Sequence, residues 1–352
     1  MIVEKLIPPQ DEETISSFWK YKEKVYISIV CITFNQADYI ADALDSFLSQ
    51  QCEYRFEIVV HDDCSSDRTK EILEYYQTKY PSIIKLVIQK ENQYSKGKKI
   101  TPIAVSYSDG EYIAVCEGDD YWVSYKKLQD QIREMLNHKS CDISFHPAYK
   151  IENNLISIFG IFGSEVSIID SERVITGGGG MFSTASIMLK KSFFESLPSW
   201  FYDIAPVGDK YAQMLGALKG GALYVPGINA AYRYKSKGSW TSSTLSVSED
   251  YITEFLNRDL YCLDAILELS PENKKSIKTA KAKSFYHAAS LSLTSKHYDL
   301  FQALIKRSVK DYGVHSKSQL FYYHFRKFPV LIKFVKKIFY FLKFTMTNTK
   351  GV

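Results

Sequence analysis

The chain of 352 residues exceeds one typical domain, and its composition, 45% hydrophobic and 24% charged, is ordinary for a soluble globular protein. Its six cysteines (Cys31, Cys52, Cys64, Cys116, Cys141 and Cys262) are scattered without a C-x-x-C pair, which excludes zinc-site spacing and a disulfide framework and points to reduced thiols in a cytosolic setting. The net charge of +4 hides eight Lys/Arg and no Asp/Glu from Tyr312 onward; the first 311 residues carry 36 basic and 40 acidic side chains, a balance that argues against a nucleic-acid-binding body.

Met1 to Lys24 is polar and charged, so no signal peptide is expected, and no apolar run reaches the roughly 20 residues of a membrane-spanning helix. Residues 26–33 (YISIVCIT) form an apolar, β-branched run of the kind found in buried parallel strands. Ile40, Leu44, Phe47 and Leu48 then recur at helical spacing. A second strand is expected over 56–61, followed by a polar loop, Asp62 to Asp67, in which Ser65 or Ser66 would cap a helix ending before Pro81. A third strand fits Ile84–Gln89, a helix 100–107, a fourth strand Tyr112–Cys116 and a further helix 125–138. This alternation predicts an open α/β sheet with right-handed crossovers. Two or three strands are expected over 141–170, a flexible loop at Gly177–Gly180 and a strand over 184–189. A helix over 208–219 and short strands at 222–226 and 229–235 come next. From about 247 the pattern is helical throughout.

Ligands of open α/β sheets bind beyond the carboxyl ends of the strands. Three such ends carry polar groups here: Thr33-Phe34-Asn35, Asp62-Asp63, and Glu117-Gly118-Asp119-Asp120. Each suits part of a nucleoside diphosphate. Asp63 is able to accept the N3–H of uracil or thymine, and Thr33 to contact base or ribose. The carboxylates after the fourth strand are able to hold Mg²⁺ or Mn²⁺, hard cations that also take phosphate oxygens. Plainer readings stand beside these: Asp62 and Asp63 as an Asx turn with a helix cap, and the acidic stretch as a solvated turn. Three carboxylates crowded before Tyr121-Trp122 would nonetheless repel one another without a cation.

Taken together, YISIVCITFNQADYIADALDSFLSQ, FEIVVHDDCSSDRTKEIL and DGEYIAVCEGDDYW resemble the GT-A fold inverting glycosyltransferases of family 2, over about residues 26–240. The resemblance implies a Rossmann-like, mostly parallel open sheet with flanking helices, followed by a helical C-terminal region. It divides the chain into an N-terminal extension (1–24), a glycosyltransferase domain (25–240) and a helical region (241–352) with a basic amphipathic tail. Within the domain, 25–122 would bind the nucleotide sugar and 123–240 would form the acceptor side. It makes Thr33, Phe34, Asn35 and Asp63 nucleotide contacts, Lys98 (or Lys99) a phosphate partner, and Glu117, Asp119 and Asp120 the acidic metal motif for Mn²⁺ or Mg²⁺. The first acidic position is more often Asp in the family, so Asp119 or Asp120 is the expected ligand rather than Glu117.

Inverting transfer also needs a base for the acceptor hydroxyl. Asp209, in PVGDKYAQMLGALKGGALYV, resembles the family's catalytic acid position; a cap at the start of its helix is the plainer reading. Gly177–Gly180 and the residues after it look like an acceptor-facing loop. Tyr232-Arg233-Tyr234-Lys235 and Gly238-Ser239-Trp240 resemble the family's segment that folds over the diphosphate, which adds Arg233 to the donor contacts; Lys235 stands where many relatives carry His. In the tail, Phe328, Leu331, Val335, Ile338 and Leu342 share one helical face and Arg326, Lys333, Lys336, Lys337 and Lys343 the other. That pattern suits either an anionic membrane surface or a helix docked on the protein's own core.

The resulting expectation is a metal-dependent inverting glycosyltransferase. It would move a sugar from a nucleotide donor, UDP in the first instance, to a glycan or lipid-linked glycan acceptor of a cell-surface polysaccharide or glycoconjugate. It would act in the cytoplasm or peripherally at the inner face of the membrane. Nucleotidylyl transfer is disfavoured because FNQADY lacks a Gly-rich, Arg-bearing loop. A catalytically silent sugar-nucleotide-binding or glycan-binding subunit is the reading from another class.

Overall fold

Asp11 accepts the Thr14 N–H at 2.8 Å and starts the short helix α1 (Glu12–Ser16). The apolar run beyond it forms β1 (Ile27–Thr33), buried along nearly its whole length as a central parallel strand requires. Strand and helix then alternate through α2 (Ile40–Leu48), β2 (Phe56–Asp62), α3 (Thr69–Lys79), β3 (Ile84–Ile88), α4 (Ile100–Val105), β4 (Tyr112–Val115), β5 (Tyr121–Trp122) and α5 (Lys127–Asn137). Four short strands follow: β6 (Ile143–Phe145), β7 (Ala148–Glu152), β8 (Leu155–Phe159) and β9 (Ser167–Ile169). They lead into α6 (Ser171–Gly177), β10 (Met188–Lys190), α7 (Lys191–Glu195), α8 (Ser199–Asp203), α9 (Gly208–Ala217), β11 (Ala222–Tyr224) and β12 (Ala230–Arg233). This computed structural model describes residues 3–153, 155–237 and 247–348.

The strands make an eight-stranded sheet, ordered β3-β2-β1-β4-β10-β6-β11-β9, and a four-stranded one, ordered β5-β12-β7-β8. In the large sheet β3, β2, β1 and β4 run parallel, β11 runs parallel to β6, and β10 and β9 are antiparallel to their neighbours. The chain therefore winds one way from β1 to β3 and the other way to β4. Such a reversal opens a crevice beyond the carboxyl ends of β1 and β4, where α/β sheets bind ligands. Helix α2 seals one face of the sheet with Ile40, Leu44, Phe47 and Leu48, all fully buried.

Three local expectations need correction. Thr184–Ser186 is a 3₁₀ turn rather than the start of a strand, because Ser186 Oγ bonds back to Ser183 O at 2.7 Å; the strand begins only at Met188. Ser65 and Ser66 do not cap α3, whose N-cap is Arg68; Ser65 binds Asp62 instead, and Ser66 N donates to Asn35 Oδ1 at 2.7 Å. The glycine run is not an open loop: Gly177 ends α6 and Gly178–Gly180 continue as a 3₁₀ turn.

By contacts the chain separates into residues 1–242 and 243–352. The second unit is helical: α10 (Glu249–Leu269), α11 (Lys274–Thr294), α12 (Tyr298–Lys310), α13 (Lys317–His324) and α14 (Pro329–Asn348). Its core gathers Leu256, Phe285, Ala289, Phe301, Ile305, Tyr322 and Ile332. Among the described residues no helix is long and apolar enough to cross a membrane.

Candidate active site

The crevice begins where β1 ends. Thr33 is buried and donates to Gln36 Oε1 at 2.8 Å. Phe34 next to it keeps an exposed ring. Asn35 adopts a left-handed φ of 52°, which Asn tolerates better than most residues. In that conformation its N–H reaches Ser65 Oγ (2.8 Å) and its Oδ1 accepts from Ser66 N, locking the β1 end to the β2 end. Across the crevice Gly118 N donates to Ile32 O at 3.0 Å. A Cβ on Gly118 would stand 2.5 Å from Gln36 Oε1 and 2.9 Å from Thr33 Oγ1, so only glycine lets the β4 end approach this closely.

Asp62 and Asp63 divide their work. Asp62 holds Ser65 in a local turn, as an Asx residue does. Asp63 reaches much farther: Oδ1 accepts from Gln93 N (2.8 Å) and Oδ2 from Tyr94 N (2.9 Å), while its own N–H donates to Thr33 O (3.0 Å). Asp63 is thus the cap of the 3₁₀ turn Tyr94–Lys96, thirty residues away, which sequence spacing did not indicate. A carboxylate has about four acceptor positions, so two remain for a ligand. Lys98 beyond this turn is exposed, whereas Lys99 Nζ donates to Ala205 O and its charge acts on Asp209.

After β4 the three acidic residues diverge. Asp120 is fully buried; Oδ1 accepts from Arg233 N at 2.8 Å, and Oδ2 has no partner among the described residues. Burial, then the charges of Asp119 and Glu117, push its pKa well up. Asp119 Oδ2 accepts from Ser236 Oγ at 2.5 Å, and its carbonyl accepts from Arg233 Nη1 at 2.7 Å. Glu117 is half-buried, and its pKa is pushed up to about 8 by loss of water, then by Asp119 and by Asp209.

Arg233, expected among the donor contacts, ties several elements of the site together. Its guanidinium also pairs with Asp42 on α2 and lies 4.4 Å from the centre of the Tyr121 ring. It is a strut that holds the Glu117–Asp120 turn against α2. Lys235, at φ 60°, pairs with Glu152 at 3.2 Å. Trp122 anchors the other side of the turn, with Nε1 donating to Ala185 O at 2.9 Å. Gly238, Ser239 and Trp240 lie outside the described residues.

Asp209 occupies the first turn of α9, but the N-cap is Val207, so the plain capping reading does not hold. Its Oδ1 accepts the Lys210 N–H at 2.8 Å. The side chain is open to solvent yet ringed by protein, and loss of surrounding water pushes its pKa up from the carboxylate value. Its charge acts on Glu117, so α9 and the β4 end bring two carboxylates to one crevice. The glycine turn supports α9 directly: a Cβ on Gly179 would stand 2.9 Å from Lys210 Cβ, and Gln213 Nε2 donates to Phe182 O at 3.3 Å. Asp42, Gln36 and Ser236 are contributors that sequence reasoning missed. Each acts through partners far along the chain, which leave no mark on periodicity.

Among the described residues no group of three or more His, Cys, Asp or Glu side chains forms a cation cage. The chemistry of the donor set still fits a hard divalent cation. The groups are all carboxylate oxygens, neighbouring carboxylates add to burial in raising the pKa of Glu117 and Asp120, and such a cation needs only one or two protein carboxylates when phosphate oxygens complete its shell.

The family model for glycosyl transferase family 2 matches residues 28–197. An uncharacterized protein of Mycobacterium tuberculosis is 29% identical over 224 residues, 62% of this chain and 61% of that protein. The poly(ribitol-phosphate) β-N-acetylglucosaminyltransferase TarS of Staphylococcus aureus is 26% identical over 245 residues, 66% of this chain and 41% of TarS. These matches span less than two thirds of either relative's length. The crystal structure of TarS 1–349 in complex with UDP-GlcNAc superposes with a TM-score of 0.64 at 18% identity, covering 89% of this chain and 92% of that one. The mannosyltransferase PcManGT of Pyrobaculum calidifontis, in complex with GDP-Man and Mn²⁺, gives a TM-score of 0.52 at 13% identity, covering 91% and 92%. The fold is therefore that of the GT-A glycosyltransferases.

Proposed function

We propose that the chain, whose residues 28–197 match the model of glycosyl transferase family 2, is a member of that family and moves a sugar, with inversion, from a UDP-sugar to a glycan acceptor. The observation that carries this reading is the convergence of the β1, β2 and β4 ends with Asp209 of α9 on one crevice. Thr33, the exposed ring of Phe34, Asn35 and the free acceptor positions of Asp63 suit a nucleoside. Asp119, with Glu117 beside it, would hold Mn²⁺ or Mg²⁺ together with diphosphate oxygens, and the cation supplies neutralisation of charge on the leaving diphosphate. Asp120 and Arg233 fix the backbone of that turn from behind, and Lys99 brings positive charge to its acceptor side.

Asp209 is the base. As the acceptor oxygen attacks the anomeric carbon, its proton passes to the Asp209 carboxylate, the new C–O bond forms and the bond to the diphosphate breaks. A pKa raised by loss of surrounding water makes Asp209 a better proton acceptor than an ordinary surface aspartate. The acceptor reading, a glycan of a surface polymer assembled on the cytoplasmic side, takes its support from TarS, whose name specifies a poly(ribitol-phosphate) substrate.

A thermal-shift panel tests the donor assignment. UDP-sugars with Mn²⁺ at about a hundred times Kd should stabilise the chain by about 2.7 kcal/mol, or roughly 5 °C. GDP- and dTDP-sugars should shift it less. Equal stabilisation by all three, or none by UDP-sugars, would remove the UDP reading.

A further inference from the structure

Among its described side chains, helix α14 settles only one apolar residue into the helical unit: Ile332 is fully buried with Phe285, Phe301 and Tyr322. Just before the helix and along its first half, Phe328, Val330, Leu331, Phe334, Val335 and Ile338 stay 38 to 67% exposed. At 3.6 residues per turn, Val330, Phe334, Ile338, Leu331 and Val335 fall on one continuous arc, and Lys333 and Lys337 run along its edge. Ile332 lies on the far side of the helix. The docked-helix reading of the tail therefore fails for this arc, which the unit's own core does not cover.

An apolar arc of this extent bordered by basic residues is unusual on a soluble surface. The chemistry of its border selects the occupant. From Tyr312 onward there are eight Lys/Arg and no Asp/Glu, so the stretch of chain that carries the arc bears positive formal charge only. A second copy of the same face would bring lysines against lysines, because a two-fold contact is self-complementary. The helix is not apolar enough to span a bilayer. We propose that α14 docks on an anionic lipid surface. It lies in the plane of the interface, its apolar arc sinks among the acyl chains, and Lys333 and Lys337 meet the headgroup phosphates. This inference is independent of the transfer reaction.

Flotation of the full chain with vesicles tests it. Phosphatidylcholine vesicles containing about one third phosphatidylglycerol should carry the protein upward at low salt, and pure phosphatidylcholine vesicles should not. Phe334→Asp with Ile338→Asp, and separately Lys333 and Lys337→Gln, should each lower the bound fraction by roughly tenfold or more. Both variants leave Ile332 in place, so an unchanged melting temperature keeps them interpretable. Raising salt to about 0.5 M should release the wild type. Equal binding to both vesicles, or full retention by either variant, overturns the proposal. So does a stable dimer in solution that the Phe334→Asp and Ile338→Asp changes dissolve while no vesicle binding is seen.

Discussion

Asp209→Asn lowers the rate of sugar transfer by roughly a hundredfold to ten-thousandfold, the usual contribution of a positioned general base. The amide is nearly isosteric and keeps an oxygen for the Lys210 N–H, the bond that Asp209 Oδ1 now accepts. The melting temperature should therefore stay close to that of the wild type, and UDP binding by calorimetry should stay within about threefold, because the proposed nucleotide contacts lie at the ends of β1 and β2. The wild type should lose activity as pH falls through the raised pKa of Asp209, with the inflection above the ordinary carboxylate range. The variant should lose that inflection. Turnover of the variant near the wild-type level would remove Asp209 from the base role.

Asp119→Ala should lower transfer by roughly a hundredfold to a thousandfold, and it should do so differently. The change removes the carboxylate that accepts from Ser236 and leaves the Asp119 carbonyl, which Arg233 holds, in place. Mn²⁺ should then no longer strengthen UDP binding, although weak binding without metal persists. The same measurement on Asp120→Ala reads another effect. Asp120 is sealed and tied to the Arg233 backbone, so its loss should appear first as a lower melting temperature, by about 1–3 kcal/mol of stability for the orphaned N–H. If Asp120→Ala abolishes the Mn²⁺ effect at unchanged stability while Asp119→Ala does not, the assignment of roles within the turn is reversed.

The parallel strands were legible because burial on both faces writes itself as unbroken apolar runs, as in Ile27–Thr33 and Phe56–Asp62. The crevice was legible because topology puts strand ends together once their order is known. What could not be read were the long-range assignments of polar groups. Asp63 spends both oxygens on Gln93 and Tyr94, and Arg233 spends its guanidinium on Asp42 and the Asp119 carbonyl. Neither partnership has a sequence period. The glycine run misled for a related reason. Four successive glycines read as freedom, yet Gly179 is there because α9 backbone passes where its Cβ would sit, with Lys210 Cα 3.1 Å away. Glu117, the departure from the family's usual Asp, remains meaningful: its pKa of about 8 reflects crowding by Asp119 and Asp209, which a divalent cation would relieve.

The account rests on one crevice serving base, diphosphate and acceptor. A crystal of the full chain soaked with UDP and Mn²⁺ tests this directly through the anomalous signal of the metal. The predicted result is a single manganese peak within ligating distance of the Asp119 carboxylate, roughly 2.2 Å, bridged to the diphosphate, with uracil against Thr33 and Asp63. Manganese and UDP bound elsewhere, away from the carboxyl ends of β1 and β4, would contradict it.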